Sequence, residues 1–167
     1  SVEALQGLAK AWCSELNPIV IGITGSCGKT TTKDMVATVL AQKYRIHKSK
    51  ENFNNEIGLP LTILNSSQET EIMVLEMGMR GLGQIKHLCG ISNPSVGVIT
   101  NIGTTHMEIL GSQENIAQAK WELIHSLGEN GTAVLNAEDF LSVRLAQSTS
   151  VNKLFYGTTG RFTEPAV

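Results

Sequence analysis

Short apolar runs alternate with amphipathic stretches along this chain. Residues 19–23, 71–77, 95–100 and 132–136 are nearly continuous apolar segments and read as buried strands. Residues 44–47 and 153–156 read as two shorter strands. Between the runs the spacing turns helical. Residues 2–16 place Leu5, Leu8, Ala9 and Trp12 on one face before Pro18 ends the segment. After a glycine-rich stretch, Met35, Val36, Val39 and Leu40 predict one face of a second helix. Further helices are predicted over residues 57–64, despite Gly58 and Pro60, and over 81–89, 112–127 and 138–146. Alternating strands and helices, with strands apolar on both sides, predict an α/β fold with a mostly parallel sheet and helices on both faces. In such sheets a ligand sits beyond the carboxyl ends of the strands. Those ends are the glycine-rich stretch, Glu76, residues 101–106 and residues 136–139, and all four are polar.

The glycine-rich stretch turns the pattern into chemistry. Thr24-Gly25-Ser26-Cys27-Gly28-Lys29-Thr30-Thr31 lies between a strand and a helix, the setting of a phosphate-binding loop. Backbone N–H groups of such a loop close on phosphate oxygens, Lys29 supplies a cation, and Thr30 can hold Mg²⁺. Ile23 stands where the usual spacing has its first glycine. Cys27 reads as a variable loop position, since no base stands beside it to make it a nucleophile.

Other residues are weighed against plainer readings. Glu76 closes an apolar strand downstream of the loop, a placement suited to Mg²⁺ as well as to plain solvation. His106 is either a metal ligand or a solvated loop residue. Lys120 lies on the apolar face formed by Ile116, Leu123, Ile124 and Leu127, opposite Glu114, Gln118, Glu122 and His125. Either its amine snorkels outward, or it is desolvated, with a lowered pKa that permits reaction or modification such as carbamoylation by CO₂. Asn136 to Asp139 form a helix cap that could also meet a nucleobase. Asn52, Asn54 and Asn55 form a turn that could also contact substrate.

Composition narrows the classes. The chain has 167 residues, 41% of them hydrophobic and 17% charged, which suits one folded domain. A net charge of −2 gives no basic field for nucleic acid. No apolar run approaches the roughly 20 residues of a membrane span. No secretory leader is visible, and three cysteines without metal spacing read as reduced thiols of a cytoplasmic protein.

Six ordered motifs resemble the central domain of the Mur ligases, over nearly the whole chain. They are residues 22–34, Asn52-Phe53-Asn54-Asn55-Glu56-Ile57-Gly58-Leu59-Pro60, Glu76-Met77-Gly78, Thr100-Asn101-Ile102-Gly103-Thr104-Thr105-His106, Ala119-Lys120-Trp121-Glu122 and Leu135-Asn136-Ala137-Glu138-Asp139. The family's loop also lacks the early glycine. The resemblance implies a P-loop-type domain of an ATP-dependent ligase of peptidoglycan synthesis. The branch it is most similar to adds D-Ala-D-Ala to UDP-N-acetylmuramoyl-tripeptide through an acyl phosphate. It implies that Lys29 and the loop, residues 24–31, hold ATP, that Asn136 contacts adenine, and that Asn52, Asn54 and Asn55 face the substrate. It further implies two Mg²⁺ sites, one on Thr30 and Glu76, the other on Glu76, His106 and Lys120 as a CO₂-derived carbamate. Lys29, Glu76, His106 and Lys120 are then the catalytic set. The family's N-terminal UDP-binding domain and C-terminal domain do not fit in 167 residues, so residues 1–167 read as a central domain alone, inactive by itself. The chain departs from the family at Gly83-Gln84-Ile85, where an acid is common, and at the bulky Trp121. Another Mur ligase, a folylpolyglutamate synthase-like ligase or a non-catalytic P-loop module are the alternatives.

Overall fold

Two apolar strands, β1 (Ile19–Thr24) and β3 (Ile72–Glu76), form the centre of the fold and are buried along almost their whole length. They stand beside β2 (Ile46–Lys48), β4 (Val96–Ile99), β5 (Thr132–Asn136) and β6 (Asn152–Tyr156) in one sheet of order β2-β3-β1-β4-β5-β6. Every neighbouring pair is parallel. The computed structural model describes residues 1–50, 52–103 and 107–158. The chain leaves β1 for one edge, returns through β3, and then crosses to β4 on the other side. This reversal puts the end of β1 at the crevice where open α/β sheets hold ligands.

The helices are α1 (Val2–Leu16), α2 (Lys29–Leu40), α3 (Gly58–Leu64), α4 (Gln84–Ser92), α5 (Met107–Leu110), α6 (Gln113–His125) and α7 (Phe140–Ala146). The short α5 has no counterpart in the hydrophobic pattern. The two sheet faces are covered unequally. α1, α3, α4, α6 and α7 pack into one large cluster, whereas α2 covers the other face with a smaller one. β5 and β6 therefore alternate between covered and open positions, and Leu154 is 60% exposed.

Two predicted helix faces are corrected. In α2 the inward residues are Lys33, Val36, Ala37 and Leu40, while Met35 and Val39 face outward. The set at i, i+3, i+4 and i+7 follows the helix turn, although its first member is a lysine. In α1, Ala9 and Cys13 are buried and Leu8 is exposed. Helix starts also shift inward. Gly83, with φ 83°, caps α4, and Asp139 caps α7 by accepting from the Leu141 and Ser142 N–H groups.

The seat of α6 depends on two glycines. Gly22 of β1 and Gly97 of β4 are register partners. A Cβ at Gly22 would lie 2.9 Å from Leu123 Cδ1, and one at Gly97 would lie 3.0 Å from Leu123 Cγ and Ile124 Cδ1. Bare backbone at this pair lets α6 lie close to the sheet. We predict that Gly97→Val lowers stability in urea denaturation by about 1–3 kcal/mol through overpacking. An unchanged midpoint would contradict this seating.

Candidate active site

The loop after β1 is shaped by contacts with the end of β4. A Cβ on Gly25 would fall 1.8 Å from Thr100 Oγ1, so only glycine fits. Gly28, with φ 80°, sits in the left-handed region and serves as N-cap of α2. The first N–H groups of α2, from Lys29 onward, have no partner within the helix and form the positive end of its dipole. This is a ready anion site. Lys29 Nζ donates to the Gly25 carbonyl at 2.9 Å and spans the loop. Ser26 and Cys27 differ from what the motif alone implies. Their N–H groups donate to Asn101 O and Asn101 Oδ1, both at 3.0 Å. Those two amides are therefore engaged within the protein, which leaves the Gly28, Lys29 and Thr30 amides at the start of α2 as the candidate phosphate donors.

The end of β3 supplies the carboxylate. Glu76 is 2% exposed, yet both its oxygens are satisfied. Thr30 Oγ1 donates to Oε2 at 2.8 Å and Asn54 Nδ2 donates to Oε1 at 2.9 Å. Its N–H donates to Ser49 Oγ at 3.1 Å. Hard oxygen donors from α2 and β3 thus meet beside the helix N-terminus, a set suited to Mg²⁺. Among the described residues no three His, Cys, Asp or Glu side chains converge on one point. The three candidate asparagines separate. Asn54 holds Glu76, and the Gly78 N–H donates to its carbonyl at 2.8 Å. Asn55 Oδ1 accepts from the Ile57 and Gly58 N–H groups at the start of α3. Asn52 is exposed in the turn, accepting from the Asn54 N–H.

Lys120 lies on the buried side of α6 and is 2% exposed. Helical side chains lean toward the N-terminus, and this one reaches a polar cleft of about 270 Å³ lined also by Gly25, Lys29, Asn54, Arg80 and Gln84. Burial foremost, and the Lys29 cation after it, lower its pKa to about 8 against an opposing effect of Cys27. Of the two sequence readings, the desolvated amine fits and the snorkelling one does not. Its neighbour Glu122, assigned by the helical pattern to the outer face, instead accepts from the Gly83 N–H at 2.5 Å and the Lys86 N–H at 3.0 Å. It caps α4, the role of an anion at a helix start. Trp121 is 1% exposed, packs edge-on against His125, and finds no acceptor for its indole N–H among the described residues.

Beyond β4 and β5 the polar ends are tied together. Asn136 Nδ2 and Tyr156 Oη both donate to the Thr100 carbonyl, and Asn136 Oδ1 accepts from the Glu138 N–H. Asp139 accepts from the Ile102 N–H as well as capping α7. The structure thus brings Lys29, Asn54 and Lys120 to one crevice, with Glu76 and Thr30 joined to it through Asn54. His106, with Thr104 and Thr105, lies outside the described residues. Sequence reading missed the individual roles of Asn101, Ser49, Glu122 and Asp139. Only Asp139 left a local signal, as a cap ahead of a helical pattern; the others act across long separations.

Comparison with known proteins agrees with this geometry. The Mur ligase middle domain family matches residues 23–164. The chain is 51% identical to the UDP-N-acetylmuramoyl-tripeptide–D-alanyl-D-alanine ligase of Bacillus subtilis over 158 residues, covering 95% of this chain and 34% of that protein. It is similar to the MurF ligase of Thermotoga maritima, solved in complex with ADP, with a TM-score of 0.88 and 40% identity over 95% of this chain and 37% of that one. A MurF structure from Acinetobacter baumannii gives a TM-score of 0.89 at 30% identity over 94% of this chain and 35% of that one. The chain therefore spans about a third of the length of these relatives. On the strength of the matched segment, its parallel sheet and its phosphate loop, the chain belongs to the Mur ligase middle-domain family.

Proposed function

We propose that this chain is the ATP- and Mg²⁺-binding domain of a longer cytoplasmic ligase that adds D-Ala-D-Ala to UDP-N-acetylmuramoyl-tripeptide in peptidoglycan synthesis. The observation that carries the reading is one crevice lined by the phosphate loop and the desolvated Lys120, with the Thr30–Glu76 pair tied to it through Asn54. The names and high identity of the relatives support the substrate assignment. An N-terminal domain for the UDP moiety and a C-terminal domain completing the ATP and amine sites belong to the same proposal.

The reaction has two steps. A carboxylate oxygen of the tripeptide attacks the γ-phosphorus of ATP, the bond to the bridging oxygen breaks, and ADP leaves. The dipeptide amine then attacks the acyl carbon, loses a proton, and expels inorganic phosphate. The amides of Gly28, Lys29 and Thr30 and the Lys29 ammonium would hold the phosphates in line for the first step. Asn136 would contact adenine. Thr30 and Glu76 would hold one Mg²⁺; Glu76, His106 and a carbamate on Lys120 would hold a second. These ions supply charge neutralisation between the two anionic reactants. Lys120 suits this role, because a neutral amine adds to CO₂ with loss of a proton, and burial favours the neutral form. Asn54 keeps the Glu76 carboxylate turned toward Thr30.

Incubating the full-length protein with ATP, D-Ala-D-Ala and tripeptide substrate labelled with ¹⁸O in its terminal carboxylate tests the function. One ¹⁸O should appear in phosphate for each dipeptide joined. Ligation without that label in phosphate, or no ligation, would overturn the reading. Gly25→Ala should abolish ATP binding in a titration, because its Cβ meets Thr100. Retained affinity would contradict the loop geometry. Lys120 also generates a pH prediction. Its folded pKa of about 8 lies below the unfolded value of about 10.4, so the unfolded chain holds more protons between them. In CO₂-free buffer, stability relative to Lys120→Met should rise from pH 8 to about 10.4 and level off above it. A flat difference across that window would show that the amine is not desolvated.

A further inference from the structure

A group of hydrogen bonds joins the end of β4 to the phosphate loop, and no step above makes use of it. The Asn101 side chain faces the backbone of Cys27 in both directions. Its Oδ1 accepts from the Cys27 N–H at 3.0 Å, and its Nδ2 donates to the Cys27 carbonyl at 3.2 Å. Its own carbonyl accepts from the Ser26 N–H at 3.0 Å. The surrounding bonds close the seam: Thr100 Oγ1 donates to the Cys27 carbonyl at 2.6 Å, and the Gly103 N–H donates to Ser26 Oγ at 2.9 Å. Residues 101–103 are in turn anchored away from the loop. The Ile102 N–H donates to Asp139, and Gln113 Nε2 donates to the Ile102 carbonyl at 3.1 Å. The side-chain amide of Asn101 thus works like one residue of a neighbouring strand, pairing with a loop residue that has no strand beside it.

The adjacent position makes this pairing consequential. Gly28 follows Cys27 directly, holds φ at 80°, and has no Cβ to restrict its backbone. Without a fixed point at Cys27, the Gly28, Lys29 and Thr30 amides would be carried by a flexible hinge. We propose that Asn101 is a positioning residue for nucleotide, holding the Ser26–Cys27 backbone so that these amides are preset on the phosphates. The proposal rests on the reading that this loop binds ATP. Its energetic basis is preorganisation: the loop is ordered before the ligand arrives, so binding does not have to order it.

The test uses the full-length ligase with Asn101→Ala and Asn101→Asp, MgATP titrations, and steady-state constants for both ATP and D-Ala-D-Ala. Asn101→Ala should weaken ATP binding about tenfold, with KM for D-Ala-D-Ala within about twofold of wild type. Asn101→Asp matches the shape and keeps the acceptor for the Cys27 N–H, but it places an oxygen against the Cys27 carbonyl. It should bind ATP no better than Asn101→Ala, and it keeps the test open should the alanine variant fail to fold. If the side chain only fills space, Asn101→Asp will bind ATP like wild type, which overturns the proposal. Equal losses in the ATP and D-Ala-D-Ala constants would overturn it too, since they would mark a general structural role. Failure of the wild-type ligase to bind ATP would instead overturn the function on which the proposal rests.

Discussion

The close seating of α6 on the Gly22–Gly97 pair governs the chemistry of the crevice. With no side chains at these two positions, Leu123 and Ile124 reach the sheet backbone. Lys120, one turn earlier, is drawn below the surface with them. An amine in that position loses most of its hydration, and its pKa falls to about 8. The same seating brings Glu122 against the start of α4, where its two oxygens meet two backbone N–H groups. A helix with its polar residues simply facing water would do neither.

The ligand edge is then assembled from pairs of elements that meet at the reversal of strand order. β1 leads into the loop and α2, β3 ends on Glu76, and β4 ends on Thr100 and Asn101. Each side chain there holds another group in place: Thr30 and Asn54 hold Glu76, Lys29 spans the loop, and Asn101 pairs with Cys27. Such mutual satisfaction explains how Glu76 can be buried with no cation in contact among the described residues. Within the loop the Ser26 and Cys27 amides are taken up by Asn101.

Much of this was legible in the sequence where the signal is local. The buried strands, the phosphate loop and the unusual placement of Lys120 follow from runs and spacings of a few residues. The inward face of α2 was not, because Lys33 lies on it while Met35 and Val39 point outward, so hydrophobicity misreports direction. Glu122 was misplaced for a related reason, its partner being another helix start and not solvent. Asn101 stands 74 positions from Cys27, and only the parallel packing of β1 against β4 brings them together. The asparagine turn was legible as polar, but its division into a carboxylate holder and a helix cap required coordinates.

The proposed function makes the buried amine of Lys120 a site for CO₂ and, through the carbamate, for metal. ¹³C NMR of the full-length ligase equilibrated with ¹³C-bicarbonate, MgCl₂ and a non-hydrolysable ATP analogue tests it most directly. The account predicts one protected carbamate resonance that is absent from Lys120→Arg and lost when bicarbonate is removed. No such resonance in wild type, or an equal one in Lys120→Arg, would contradict it.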